Sequence, residues 1–531
     1  MKSAGAVART LGVGAASFVL FALLGSRQYT AADGALRCLD VFRHPVLAFS
    51  GNNHLLYPAN VLAWQRLAGL AGVNARDPFA YVRLTQLMNA AAAAGAVALL
   101  YRMVRAVTMS DAVAATAAAG LTLSRAFLLH ATSSAEPMVG LFWALVALTA
   151  AFSEEPRPRV WPAVVAGVAL ALSFASYASM LLVAPAVLLA LRAGARAGRR
   201  AAALAAAAAI ATAGIFGAAY ARSGGAAPGA MLGRFLALPG SSVWGGVSLS
   251  NVANTPLGLA QGLLPVLPPD YAGLTSLGES GALRPAWLAL ALVGVAALCV
   301  ALARRAWRAR SGVERERGTA TLTMAAAAGL VAALVAPLAW APLYDKLWIL
   351  PIALLWLLGG AVAADVRAGR SLRLARGGLV LVAAEAVANF AWAVPAHLRP
   401  SPYLAPSEVV AGAVKPGDLV VLDWDPVSQM YAGLWGADRT IWSLPSEGVA
   451  RGSASLAALD SAVADTRRHG HDTYFLGVLD HSRARWDAFL GRRLRLPFEA
   501  LDGYRAAATV VARFGTAEQP LTLRRLRASP S

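Results

Sequence analysis

The chain has 531 residues, of which 58% are hydrophobic and only 14% charged, with a mean hydropathy of +0.56. Soluble domains carry about 25% charged residues, so a single water-soluble globule is excluded. Two cysteines, Cys38 and Cys299, are too few for a disulfide scaffold, and Cys299 sits within an apolar run, which sets redox chemistry aside. The net charge of +19 comes from 47 basic and 28 acidic residues, and all the basic residues except Lys2, Lys346 and Lys415 are arginine. Their placement decides what the charge means.

A bilayer core of about 30 Å takes roughly 20 apolar residues per helix. Runs of this kind predict about eleven spans: Thr10–Leu24, Leu84–Tyr101, Ala112–Leu129, Met138–Phe152, Val160–Phe174, Ser179–Leu191, Ala201–Tyr220, Ala286–Ala303, Thr319–Trp340, Trp348–Ala364 and Gly377–Val394. With the N-terminus (Lys2, Arg9) in the cytoplasm, every second connection is rich in arginine. These carry Arg102 and Arg105; Arg157 and Arg159; Arg192, Arg196, Arg199 and Arg200; Arg304 to Arg317; and Arg367 to Arg376. The alternate short connections hold no arginine, and Ala341–Leu347 holds only Lys346. This is the positive-inside pattern, so the charge reports topology and needs no nucleic-acid partner. Lys2 and Arg9 before an apolar stretch also suit a signal peptide, but no small-x-small cleavage site follows and its removal would upset the alternation.

This topology leaves three pieces outside the cytoplasm: loops over residues 25–83 and 221–285, and a tail from residue 395 to 531. The expected organisation is a membrane domain over 1–394 followed by a small extracytoplasmic α/β domain. In the tail, strands are predicted at Asp418–Leu422, Arg439–Ser443 and Thr473–Leu479, and helices at Leu456–Arg468 and Ala484–Leu490. Asp423-Trp424-Asp425 follows a strand, where open α/β sheets place binding loops, although a solvated loop suits it better. In the second loop, Gly240–Val247 is followed by an apolar stretch, Pro256–Leu267, that reads as a membrane-surface anchor.

The first loop is the most informative. Asp33 stands just beyond the first span, where a carboxylate can deprotonate an acceptor hydroxyl beside a lipid-borne substrate. Next, Arg37, Asp40, Arg43 and His44 share one helical face and Leu36, Leu39 and Phe42 another, the pattern of a helix lying along a membrane. The turn Gly51-Asn52-Asn53-His54-Leu55-Leu56-Tyr57-Pro58 then leads into a second amphipathic stretch, Ala59–Leu70, which places His54 and Tyr57 toward the pocket of Asp33. Glu385, in mid-span, is costly there and needs a partner.

An acid soon after the first span, a surface helix and a His-x-x-Tyr-Pro turn resemble the membrane glycosyltransferases of the GT-C superfamily, of the protein O-mannosyltransferase and aminoarabinose-transferase type. The turn Ser124–Pro137, with Glu136, and the tail from Lys415-Pro416-Gly417-Asp418 through Tyr431 to Asp438-Arg439 are also similar. One departure is that Gly34, Ala35 and Leu36 follow Asp33, so the second acid of an Asp-Ser-Gly-Glu loop is missing. The acceptor class and the need for a divalent metal are thereby left open.

The resemblance implies inverting transfer of a sugar from a polyprenyl phosphate to an extracytoplasmic glycan, lipid or protein, by a multi-pass protein of the inner (plasma) membrane. It implies Asp33 as base, Glu136 as a group orienting substrate, and Lys346, Arg27 and Arg125 as cations for the lipid phosphate. His54 and Tyr57 are further substrate-binding candidates. Glu136 also suits an ion pair with Arg125 across its turn. No organic cofactor and no metal-ligand set is predicted, and there is no phosphate-cradling glycine loop and no Gly-x-Ser-x-Gly turn. The competing readings are a polytopic transporter or flippase, which would place polar residues at mid-membrane in helices broken by Gly or Pro, and a polysaccharide polymerase or ligase.

Overall fold

The computed structural model describes residues 4–27, 32–43, 54–75, 78–152, 159–192, 197–222, 248–265, 314–339, 342–363, 368–399, 404–422, 440–444, 454–483, 486–487, 496–515 and 520–528. They fall into two compact units: Met1–Ser26 with Asp40–Leu398, and Arg27–Leu39 with Arg399–Ser531.

The first unit is helical. In chain order it contains α1 (Ala4–Leu23), the C-terminal part of α2 (Ala32–Arg43), α3 (Leu56–Leu70), α4 (Pro78–Thr108), α5 (Asp111–Leu123), α6 (Arg125–Ala131), α7 (Pro137–Ala151), α8 (Trp161–Ser176), α9 (Ala184–Arg192) and α10 (Ala197–Arg222). Then follow α11 (Leu249–Leu263), α12 (Glu314–Ala333), α13 (Val335–Ala339), α14 (Ile349–Ala363), α15 (Ala368–Ala388) and α16 (Val394–Leu398). Among the described residues six helices are long and apolar enough to cross a membrane, or seven if α5 and α6, bent by 69°, count as one span. Three shorter apolar helices, Pro137–Ala151, Trp161–Ser176 and Ala178–Leu191, match predicted spans in position. The predicted span Ala286–Ala303 lies outside the described residues, so eleven is not the count obtained here.

Large apolar side chains remain exposed on α1 (Leu11, Leu23), α10 (Ile210) and α15 (Val380, Val387), surfaces that lipid would cover. The helices approach closely where side chains are small: a Cβ on Gly167 of α8 would meet Leu204 O of α10 at 2.4 Å. Fully buried Arg200 binds two C-terminal helix carbonyls, Ala151 O of α7 at 3.0 Å and Leu191 O of α9 at 3.3 Å. The negative ends of those helices supply the counter-charge its burial requires.

The second unit is built on a sheet of order β2-β1-β3-β5-β4. The strands are β1 (Leu419–Leu422), β2 (Thr440–Ser443), β3 (Thr473–Leu476), β4 (Thr509–Gly515) and β5 (Pro520–Leu526). The first three are parallel, and β5 joins β3 antiparallel and forms a hairpin with β4. Leu419, Val421 and Phe475 pack on one face with Leu459 and Val463 of the helix Ser455–Arg468. Val420, Leu422 and Tyr474 pack on the other face with Val410 of Leu404–Ala413. Burial on both faces explains why β1 is an unbroken apolar run. Strands β4 and β5 were not among the predicted elements. Most of the predicted helix Ala484–Leu490 and all of Asp423-Trp424-Asp425 lie outside the described residues.

Candidate active site

The turn from Thr132 to Glu136 joins α6 to α7, and its carbonyls are claimed one after another. Ser26 N donates to Thr132 O at 2.8 Å, Asn89 Nδ2 to Ser133 O at 2.8 Å and Ala135 O at 2.7 Å, and Tyr57 Oη to Ser134 O at 2.5 Å. The end of α1, together with α3 and α4, thereby fixes the turn, and Pro137 at the head of α7 stops it from winding on. Glu136 is left at the helix N-terminus, where the dipole favours a negative group, with its side chain fully buried.

Its partner comes from the short loop before α14. Lys346 Nζ, in the 3₁₀ turn Asp345–Trp348, donates to Glu136 Oε2 at 3.1 Å, with both side chains buried. The neighbouring residue makes a second pair: Arg125 Nη1, at the start of α6, donates to Asp345 Oδ2 at 2.6 Å and to Gln261 O of α11 at 3.3 Å. Glu136 therefore pairs with Lys346, whereas the ion pair expected across the turn was with Arg125. His130 stands at the end of α6, and Thr132 Oγ1 meets His397 Nε2 of α16 at 2.8 Å. Two cations and two carboxylates thus converge on one turn and one loop, the Lys346–Glu136 pair buried and the Arg125–Asp345 pair half-buried.

The other sequence candidates fall as follows. Asp33 is on the first turn of α2, and its side chain lies outside the described residues. Arg27 is exposed. Tyr57 binds the turn that carries Glu136, whereas His54 stacks on Tyr177 with ring centroids 5.0 Å apart and planes 7° apart. Arg37 is half-buried on α2, and Cys38 and Leu39 beside it are buried. The motif Gly240–Val247 lies outside the described residues. Asn89, Asp345 and His130 were not picked out. The signal for Asn89 was visible: Thr85, Gln86 and Asn89 are polar at helical spacing within an apolar span.

Of the stretch expected to anchor at the membrane surface, Pro256–Leu263 forms the end of α11, which packs on the Lys346 loop, and residues 266–267 lie outside the described residues. A Cβ on Gly258 would stand 1.8 Å from Pro342 O, and the same oxygen accepts from Trp348 Nε1 at 2.5 Å. Gly258→Ala is therefore expected to push α11 off this loop. Overpacking of this kind costs about 1–3 kcal/mol, which thermal unfolding would register. Gly214→Ala inside α10, with nothing within 4 Å of the added atom, should instead raise stability slightly, by about 0.5–1 kcal/mol of helix propensity.

No protein-family model matches the sequence, and no curated protein matches it. Solved structures do. ArnT from Cupriavidus metallidurans bound to undecaprenyl phosphate matches with a TM-score of 0.58 at 13% identity, covering 100% of both chains. Its apo form matches with the same score and identity over 99% of this chain and 100% of the other. This chain accordingly has the fold of ArnT, as the resemblance of its loops to the aminoarabinose-transferase type implied.

Proposed function

We propose that the protein is an inverting glycosyltransferase that moves a sugar from a polyprenyl phosphate to a hydroxyl acceptor outside the cytoplasm. The observation that carries this reading is the buried Lys346–Glu136 pair beside Arg125–Asp345, in a chain with the fold of a protein crystallised with undecaprenyl phosphate. In the reaction, the bond between the anomeric carbon and the phosphate oxygen breaks as the acceptor oxygen attacks from the opposite face. Asp33 takes the acceptor's proton, and the lipid phosphate leaves with the bonding electron pair. A phosphate is a good leaving group, so the protein's work is a base, cations and positioning.

In this scheme Lys346 and Arg125 face the phosphate, and Glu136 holds the Lys346 ammonium in place. Arg27 is a further phosphate cation, and Tyr57 supports the site through the turn. His54, stacked on Tyr177, is a further substrate-binding candidate.

The same reading places the protein in the plasma (inner) membrane, with the N-terminus cytoplasmic and residues 395–531 as an extracytoplasmic domain. A reporter enzyme fused after Gly433 is expected to be active only when exported; activity confined to the cytoplasm would overturn the topology and the site with it. The donor assignment is tested by kinetics with purified polyprenyl-phosphate sugar.

A further inference from the structure

Glu385 has no part in the reaction proposed above. It lies on α15, fully buried, and its Oε1 sits 3.1 Å from Ser124 Oγ, at the break between α5 and α6. Ser124 Oγ also receives Trp356 Nε1–H at 3.1 Å and reaches Gly120 O at 2.7 Å. Gly120 leaves room for that indole, because a Cβ there would fall 2.2 Å from the Trp356 ring. One turn beyond Glu385, Asn389 is likewise fully buried and opens the π-turn Asn389–Ala393. Its Nδ2 donates to Leu123 O at 2.6 Å and Leu263 O at 3.2 Å. Both side chains therefore close on the same break, one at Leu123 and the other at Ser124.

Each has one oxygen left over. Glu385 Oε2 and Asn389 Oδ1 are buried and have no hydrogen-bond partner among the described residues. Both are acceptors, so neither can satisfy the other. Leu123 and Leu263 end α5 and α11, so two helix C-termini bring their partial negative charge to this place. The titratable groups on the surrounding elements are committed elsewhere: Arg125 to Asp345, Lys346 to Glu136 and His397 to Thr132. Ser124 Oγ is the side-chain partner of Glu385 among the described residues. A buried carboxyl, two unpartnered oxygens and two negative helix ends without a cation form an arrangement that a single positive ion completes. Broken helices and π-turns are where membrane proteins place such sites.

We propose that Glu385 and Asn389 form a binding site for one small monovalent cation, a proton or a sodium ion, held between their two unpartnered oxygens at the α5–α6 break. Its occupation ties α15 to the bend from which α6 carries Arg125, so the ion steadies the phosphate-facing end of α6 from behind.

The test is thermal unfolding of the full chain in lipid nanodiscs, with sodium chloride exchanged for choline chloride at constant ionic strength. It is run at about pH 8 and about pH 5.5, on the wild type and on Glu385→Gln, which keeps the shape and removes the charge. In the wild type the midpoint is expected to rise by about 1–2 °C with sodium or with acid, the size of effect that ligand at ten times its dissociation constant produces in a chain of this length. Glu385→Gln should lose that increment. A response to sodium identifies the ion as sodium, and a response to acid alone identifies a proton. Asn389→Ala, which keeps the acid, should at least halve the response, and it carries the test if Glu385→Gln does not fold. A wild type indifferent to both, or variants that respond as the wild type does, overturns the proposal.

Discussion

Asp33→Asn is expected to lower turnover by about 100-fold or more while leaving the apparent KM for the lipid donor near the wild-type value. The substitution keeps the size of the side chain and its place on the first turn of α2, and removes only the ability to accept a proton. General-base catalysis contributes about 10²–10⁴-fold, and no bond to the donor phosphate is lost, so the whole effect should appear in kcat. Steady-state kinetics on the purified, folded variant decides it. Near-normal turnover would remove Asp33 from the mechanism, and the proton would then have to go to another group.

Lys346 should behave differently, because it holds both a buried acid and, in the proposed site, the donor phosphate. Lys346→Met alone leaves the Glu136 carboxylate buried without its cation, and breaking a buried pair in this way costs about 3–5 kcal/mol. Poor folding of that single variant would therefore say little about the substrate. Lys346→Met combined with Glu136→Gln removes both charges and is expected to recover most of the lost stability. Donor affinity should stay low in the double variant: losing a charge-assisted bond worth about 1.5–3 kcal/mol raises the apparent KM about 10- to 100-fold. Lysine meets a phosphate as a compact point charge and arginine as a larger planar fork, so Lys346→Arg should restore part of the affinity at most. A double variant with wild-type KM would mean that Lys346 serves only to hold the turn.

The sequence carried the helices and their order well, for a physical reason. The length of an apolar run and the arginines at its ends are local properties, and each matching helix was found where its run lies. Lys346 stood out because it is the sole lysine in the apolar half of the chain after the N-terminus, in a connection that has no arginine. Which acid it would meet was not legible: Glu136 is 210 residues away, and only packing of α6 and the turn after it against the loop before α14 brings them together. The same holds for Asp345, whose role became visible only once Arg125 was found beside it. Arg200 shows the converse. As one of a cluster of arginines it reads as a marker of topology, yet it is buried and caps two helices, while its neighbour Arg199 is exposed. In the second unit, β1 and β3 are compact apolar runs and were found. Strands β4 and β5 carry arginines (Arg513, Arg524, Arg525) and are held in the sheet mainly by pairing with β3 and with each other, which no local pattern records.

The central claim is that the sugar arrives on a lipid phosphate, and the measurement that meets it most directly is a donor comparison with the purified full chain in a bilayer. Initial rates of sugar transfer to an acceptor are measured with a polyprenyl-phosphate sugar and with the nucleotide-linked form of the same sugar. The account predicts transfer from the lipid donor alone, with release of polyprenyl phosphate and inversion at the anomeric carbon. Equal use of the water-soluble nucleotide sugar, or a product that retains the anomeric configuration, would contradict it.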